Sequence, residues 1–229
     1  MAGQGMGEYC VDIVMCIDKT GSMAPIIDEV KSNALSFYQR FVDAMDENDK
    51  EVEQLRIKVI AFGDYKADKG AAMEESKFFV LPDETDDFKA FVNGITAGGG
   101  GDEEEDALEA IALALKSDWT TEGAKRRHAV LVFSDAPAHE LGKNQDISQY
   151  PVGMPKDIKE LAAWWEGTDQ TLSSTYQPKA GRLVAFVPNA YPWTEMQAWN
   201  RYWPAFSPAG TGLADVDIQS AIDLMVGSF

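Results

Sequence analysis

Basic side chains are scarce in this sequence. Its 229 residues include 20 Lys and Arg against 38 Asp and Glu, which gives a formal net charge of −18 at pH 7. Proteins that bind nucleic acids gain much of their affinity from Lys and Arg at phosphates, and anionic membrane surfaces attract basic segments. The charge balance therefore predicts no nucleic-acid partner and no membrane partner.

Cysteines and long apolar runs are also scarce. The two cysteines, Cys10 and Cys16, lie in one predicted strand, where a rise of about 3.3 Å per residue separates them by roughly 20 Å, too far for a disulfide. Such cysteine use suits a reducing compartment. No apolar run approaches the roughly 20 residues of a membrane-spanning helix, and residues 1–8 lack the basic start of a signal peptide. We therefore expect a cytoplasmic protein.

Apolar strands alternate with amphipathic helices along the chain. The sequence predicts strands at 9–18, 55–62, 77–81, 128–134 and 182–188, and helices at 22–46, 84–95, 102–118, 156–166, 194–203 and 216–225. Continuous apolar strands connected by helices are typical of a mostly parallel sheet with helices on both faces. We predict one doubly wound α/β domain over 9–229, preceded by a flexible tail at 1–8 and elaborated at about 137–180.

Polar segments occur where a doubly wound sheet places its site, outside the carboxyl ends of the strands. They are Asp18-Lys19-Thr20-Gly21-Ser22 after the first strand, Gly98-Gly99-Gly100-Gly101-Asp102 before a helix, and Ser134-Asp135-Ala136-Pro137-Ala138-His139 after a later strand. Carboxylates and hydroxyls are oxygen ligands that Mg²⁺ accepts, and glycines let backbone approach an ion. Helix capping is an alternative explanation, with Ser22 as an N-cap and Asp102 with Glu105 as a capping box.

Together these segments resemble the metal-ion-dependent adhesion site of von Willebrand factor type A domains. The resemblance is carried by Asp-Lys-Thr-Gly-Ser-Met at 18–23, Gly-Gly-Gly-Asp at 99–102 and Phe-Ser-Asp at 133–135, and it covers nearly the whole chain from residue 9. Phe-Gly-Asp-Tyr at 62–65 and Asp-Ala-Pro-Ala-His at 135–139 are similar to the subgroup found beside alpha-type protein kinases and in bacterial regulatory proteins.

The resemblance implies one bound Mg²⁺ or Mn²⁺, with Ca²⁺ as a further possibility. Its ligands would be Asp18, Thr20, Ser22, Asp102 and Asp135. In the family, a carboxylate from a partner protein usually completes the coordination sphere. Here Asp102 replaces the usual threonine and adds a third negative charge, which opposes an acidic partner. We also expect Gly100, Gly101 and His139 to contact a partner near the metal.

The function implied is divalent-metal-dependent protein–protein interaction without catalysis, in a bacterial regulatory or defence system. Only His128 and His139 are available as histidine general bases, which argues against an enzyme. One alternative is an aspartyl-phosphate phosphohydrolase, because residues 16–22 also resemble the phosphorylated-aspartate motif of haloacid-dehalogenase-like proteins, with Asp18 as nucleophile. The other is a metal-free structural interaction domain, favoured if Asp102 only caps a helix.

Overall fold

The computed structural model describes residues 8–229, so the tail predicted at 1–8 lies almost wholly outside the described residues. Seven strands form one sheet. They are β1 (Tyr9–Asp18), β2 (Val52–Phe62), β3 (Met73–Glu75), β4 (Phe79–Leu81), β5 (Lys125–Phe133), β6 (Gly181–Pro188) and β7 (Tyr202–Ser207). The α-helices are α1 (Ala24–Asn33), α2 (Phe37–Asp46), α3 (Tyr65–Asp68), α4 (Thr85–Gly94), α5 (Ala107–Leu115), α6 (Ile158–Glu166) and α7 (Ile218–Gly227).

The sheet is mostly parallel, as predicted. Its strand order is β3-β2-β1-β5-β6-β7, and β4 also pairs with β2. Strands β2, β1, β5, β6 and β7 run parallel to their neighbours in this series, whereas β3 and β4 pair antiparallel with β2. The carboxyl ends of β1 and β5 therefore lie side by side at one edge of the sheet. No helix within residues 8–229 is long and apolar enough to cross a membrane.

Helices cover both faces of the sheet, so β1 is buried along its whole length. Side chains alternate between the faces of a strand. Ile13 and Ile17 of β1 pack into a core with α1, α2, α4 and α7. Val14 and Cys16 point to the other face, where α5 and α6 pack. Cys10 and Cys16 are both buried and free, as the strand spacing predicts.

The helix predicted at 22–46 is two helices, with a break after Asn33. The backbone N–H and the hydroxyl of Ser36 both donate to the carbonyl oxygen of Asn33, at 3.0 and 3.2 Å. The amide of Asn33 in turn donates to the carbonyl oxygen of Glu29 at 2.9 Å. Short polar side chains that bond locally to the backbone compete with regular helix, and the apolar periodicity on either side conceals the break.

The helix predicted at 194–203 is wrong beyond residue 198. A 3₁₀ turn at Glu195–Ala198 gives way to β7, and Arg201, which has a φ of 59°, separates the two elements. Aromatic residues such as Tyr202 and Trp203 fit a half-buried strand well. In β7 they pair with Leu183 and Val184 of β6. The segment therefore extends the sheet by one parallel strand.

Candidate metal centre

Asp18 ends β1 at the carboxyl edge of the sheet and is fully buried. Its Oδ1 accepts hydrogen bonds from the backbone N–H of Thr20 at 2.9 Å and from the Thr20 hydroxyl at 2.6 Å. Its Oδ2 accepts one from the hydroxyl of Ser134 at 2.8 Å. Burial raises the pKa of Asp18 to about 6 in spite of these bonds. A buried carboxylate is costly unless it is paired or binds a metal, and none of the ion pairs among the described residues includes Asp18.

Asp135 lies directly after β5 and is brought to the 18–22 loop, as the strand-end rule predicts. The hydroxyl of Ser22 donates to its Oδ1 at 2.9 Å, across 113 residues of sequence. The backbone N–H of Gly212 donates to Oδ2 at 2.6 Å, and that of Gly210 donates to the Asp135 carbonyl at 2.9 Å. Thr20, Ser22 and Asp135 then line one wall of an open cavity of about 630 Å³.

Glu105 is a residue of this cavity that the sequence analysis did not assign to the site. Its side chain is buried, with the residue only 3% exposed, and its Oε2 has no hydrogen-bond partner among the described residues. Burial, with the negative charges of Asp18, Asp64, Asp68 and Asp106, raises its pKa to about 9. A lone buried carboxyl oxygen facing other carboxylates is the arrangement that a bound cation would satisfy.

The position of Glu105 follows from where α5 begins. The helix predicted from 102 starts only at Ala107, and Asp106 occupies its N-cap position. Instead of forming a first helical turn, Glu105 makes a backbone bridge: its N–H donates to the carbonyl of Pro137, and its own carbonyl accepts from the N–H of His139. The capping-box interpretation of Asp102 and Glu105 is therefore wrong, because neither residue lies in the helix.

Asp102 lies at the rim of the cavity and is bound to His139. Its side chain is 46% exposed, and its Oδ1 lies 3.0 Å from Nε2 of His139. Partial burial raises the pKa of Asp102, but hydrogen bonds from the Glu104 N–H and from His139 outweigh it and lower the pKa overall. Lys143 Nζ lies 3.9 Å from Asp102 Oδ2. His139 and Lys143 therefore partly neutralise the negative charge of Asp102.

His139 lies beneath the surface, only 1% exposed. Its Nδ1 is 3.1 Å from Oδ1 of Asp106, so its ring connects that buried carboxylate to the rim residue Asp102. Because the ring is buried, it would influence a bound partner only through its contact with Asp102. By contrast, Gly100 and Gly101 do line the cavity, and the N–H of Gly100 lies 3.3 Å from the carboxylate oxygens of Asp68.

A second group of possible metal ligands lies behind the cavity. Ligand atoms of Asp64, Asp106 and His139, all buried, lie within 4.8 Å of one another. The amide nitrogen of Asn144 is 3.0 Å from both Asp106 oxygens, 3.4 Å from Asp64 Oδ1 and 3.3 Å from His139 Nδ1. Backbone N–H groups at the start of α3 donate to Asp64 and Asp106. This group fixes α3 and the start of α5 behind the site.

The residues around the cavity fit a hard divalent cation. Their side chains offer carboxylate and hydroxyl oxygens, which Mg²⁺ and Mn²⁺ prefer. They are Asp18, Thr20, Ser22, Glu105 and Asp135, with Asp102 at the rim. The buried Oε2 of Glu105, which has no hydrogen-bond partner among the described residues, is the observation that most directly fits a bound cation.

Gly212 offers a test of how the 208–212 loop supports Asp135. Gly212 and Gly210 both have positive φ, of 64° and 69°. A Cβ on Gly212 would lie 2.0 Å from the carbonyl oxygen of Ser22, whereas one on Gly210 would meet no atom within 4 Å. We expect Gly210→Ala to lose about 1–2 kcal/mol of stability from the strained backbone, and Gly212→Ala to lose more, because its Cβ also overlaps the carbonyl oxygen of Ser22. We expect only Gly212→Ala to weaken Mn²⁺ binding, by at least about tenfold, about 1.4 kcal/mol.

Calorimetric Mn²⁺ titration and thermal unfolding of the two variants measure these effects. Gly210→Ala controls for the backbone cost that the two share. Equal Mn²⁺ affinities in both variants would show that the Gly212 contact with Asp135 plays no part in the site.

Comparison with known proteins supports the family suggested by the motifs. Residues 12–152 match the sequence profile of the von Willebrand factor A domain. Over 157 residues the chain is 30% identical to the alpha-protein kinase vwkA of Dictyostelium discoideum, a match that covers 66% of this chain and only 22% of that kinase.

Solved structures share the fold at low sequence identity. The pilus adhesin SpaC from Lactobacillus rhamnosus GG is similar with a TM-score of 0.55 and 10% identity, over 96% of this chain and 31% of the adhesin. The vWF domain of the type V pili tip protein Mfa5 from Porphyromonas gingivalis is similar with a TM-score of 0.50 and 13% identity, over 96% of this chain and 94% of that domain. The profile match and the shared doubly wound fold show that the chain belongs to the von Willebrand factor A domain family.

Proposed function

We propose that the protein is a divalent-metal-dependent protein-interaction domain without catalysis of its own. The metal would be Mg²⁺ or Mn²⁺, held by Asp18, Thr20, Ser22, Asp135 and Glu105, with open positions for a ligand from a partner protein. The proposal depends above all on Glu105, a residue of the cavity wall whose buried carboxyl has one oxygen without a hydrogen-bond partner among the described residues. Such an ion would supply the positive charge that these carboxylates otherwise lack.

The geometry disfavours the phosphohydrolase alternative. A nucleophilic carboxylate needs one oxygen free to attack phosphorus. In Asp18, however, Oδ1 accepts two hydrogen bonds from Thr20 and Oδ2 accepts one from Ser134, and the side chain is fully buried. An Asp18-dependent phosphatase activity of the purified protein would overturn the non-catalytic part of the proposal.

The metal-free alternative loses the observation that favoured it. It depended on Asp102 serving only as a helix cap, but α5 begins five residues later, at Ala107. The similarity to part of an alpha-protein kinase is compatible with a domain that brings a regulatory enzyme to its partner. The bacterial regulatory or defence setting stays a prediction.

Metal dependence is tested by capture of a partner from the source cells. The immobilised protein should retain a partner in Mg²⁺ and release it in a chelator, and Asp18→Asn should retain none. Calorimetry on the same protein should show binding of one Mg²⁺ or Mn²⁺ per chain. A protein that binds no divalent ion, or a partner retained equally with chelator, would contradict the proposal.

A pair of variants separates the effect of Asp102 on metal binding from that of the nearby carboxylate Glu104. Asp102→Thr removes a negative charge from the cavity rim, and we expect Mg²⁺ affinity to fall severalfold because each charge near the ion contributes attraction. We also expect binding of an acidic ligand such as acetate to the bound metal to improve. The control is Glu104→Thr, since Glu104 is similarly exposed but does not line the cavity. Unchanged Mg²⁺ affinity in Asp102→Thr would remove Asp102 from the metal site.

A further inference from the structure

The cavity is acidic and contains no opposing side-chain charge of its own. Among the described residues that line it, four are acidic and none is Lys, Arg or His: the acids are Asp102, Glu103, Glu105 and Asp135. Asp18 lies directly beneath, bonded to the lining residue Thr20. One divalent ion would leave these five carboxylates with an excess of negative charge, even if Glu105 kept its proton.

The nearest basic side chains already pair with acidic residues. Lys19, next to Asp18 in sequence, is buried and paired with Glu74. Lys143 pairs with Glu104 at 2.9 Å and reaches only the outer oxygen of Asp102, at 3.9 Å. The lone histidine of the region, His139, is buried behind Asp102. Lys143 and His139 therefore offset part of the charge of Asp102 and Glu104. Glu103, which is exposed, and Glu105 and Asp135, which are buried, form no ion pair among the described residues, so their negative charge is what the cavity presents to a partner.

Small apolar residues also line the cavity. They are Ala136 and Pro137, of which Pro137 accepts the backbone hydrogen bond of Glu105, and Ala209. A volume of about 630 Å³ is larger than one side chain needs, and it falls within the range of ligand pockets. The size and lining suit a short peptide segment that places a cationic side chain against Asp102 and Glu103 and a small residue against Ala136, Pro137 or Ala209.

We propose that this cavity binds a cationic segment of a partner protein, with Lys or Arg facing Asp102 and Glu103 and a neutral oxygen, from a hydroxyl or a carbonyl, on the bound metal. The inference rests on the proposed metal site and specifies its partner. It differs from completion of the metal sphere by an acidic side chain, because such a side chain would meet the remaining negative charge. Charge complementarity at interfaces selects partners in this way.

The test compares two fluorescent peptides of equal length, a Gly-Ser-Lys repeat and a Gly-Ser-Glu repeat, by fluorescence anisotropy in Mg²⁺. We expect the lysine peptide to bind at least tenfold more tightly. Glu103→Lys should weaken its binding at least fivefold. Asp223→Lys is the matched control, because it changes the net charge equally at an exposed position on α7, outside the cavity. Equal effects of the two variants would show non-specific attraction and overturn the proposal.

Chelation separates the metal contribution from simple charge attraction. Removing Mg²⁺ makes the cavity more negative, so attraction alone predicts tighter binding of the lysine peptide. The proposal predicts weaker binding, because the serine or backbone oxygen loses its metal. Tighter binding after chelation, or preference for the glutamate peptide in Mg²⁺, would contradict it. Calorimetry on the same samples reports Mg²⁺ binding directly: its absence would refute the proposed function itself, whereas bound Mg²⁺ with either contrary peptide result would refute only the cationic partner.

Discussion

Asp18→Asn should abolish divalent-metal binding, lowering Mn²⁺ affinity by at least about a hundredfold, about 2.7 kcal/mol. The substitution removes a buried negative charge beside the proposed ion but keeps the size of the side chain. The asparagine Oδ1 can still accept both bonds from Thr20, and its amide can donate to the Ser134 hydroxyl. We therefore expect the metal-free variant to fold and to be at least as stable as the wild type.

Asp12→Asn is the matched control for this variant. Asp12 lies on the same strand, is equally buried, and pairs with Arg56 at 2.6 Å and with the Thr120 N–H at 2.6 Å. Its neutralisation should cost about 1–3 kcal/mol of stability, because it leaves a charged hydrogen-bond partner poorly satisfied. Mn²⁺ affinity should not change. Calorimetry and thermal unfolding measure both effects, and equal metal affinities in the two variants would remove Asp18 from the site.

Metal affinity should rise steeply with pH, and Glu105→Gln should remove most of that dependence. Burial and neighbouring carboxylates raise the pKa of Glu105 to about 9, and burial raises the pKa of Asp18 to about 6. Ligation requires the carboxylate forms, so metal binding between about pH 6 and pH 9 should release one proton from Glu105. Affinity should then rise by about tenfold per pH unit across this range. Glutamine has no proton to release, so the metal affinity of the Glu105→Gln variant should be lower and nearly constant over this pH range.

The raised pKa of Glu105 also makes the stability of the metal-free protein depend on pH. Since the folded-state pKa of Glu105 lies above its ordinary value, its contribution to stability is fully present at low pH. That contribution is lost as the pH rises from about 4.5 towards about 9. Saturating Mn²⁺ should restore stability at the upper end of this range in the wild type but not in Glu105→Gln.

Glu109→Gln provides the control for the pH experiment. Glu109 is also fully buried, and burial raises its pKa to about 7. Its Oε1, however, accepts hydrogen bonds from the Tyr150 hydroxyl and the Gly142 N–H, and it does not line the cavity. This variant should change the pH dependence of stability and leave the pH dependence of metal affinity intact. Calorimetry in two buffers of different ionisation enthalpy counts the released proton, and a wild-type value near zero would contradict the role of Glu105.

The sequence predicts those parts of the site that depend on strand ends. The apolar run of β1 and the polar residues that follow it place Asp18, Thr20 and Ser22 at the carboxyl edge of the sheet. Asp135 follows β5, and because β5 pairs parallel with β1, the carboxyl ends of the two strands lie at the same edge of the sheet. The hydrogen bond between Ser22 and Asp135 confirms this juxtaposition.

The segment 102–106 could not be predicted from local pattern. Its acidic residues match the preference of a helix N-terminus for negative charge, so the sequence favours a longer α5. In the structure, a backbone bridge between Glu105 and the 137–139 segment takes precedence over the first helical turn. That bridge joins parts of the chain more than thirty residues apart. The pattern of apolar and polar residues in either segment does not predict it. Burial of Glu105 in the cavity is a consequence of the same bridge.

An anomalous-scattering crystal structure with Mn²⁺ tests the central claim most directly. We expect one strong peak at the carboxyl edge of β1 and β5, within about 2.0–2.3 Å of oxygens from Ser22 and Glu105. Asp18 and Asp135 should lie around the same ion. No peak there, or a peak only between Asp64, Asp106 and His139, would contradict the account.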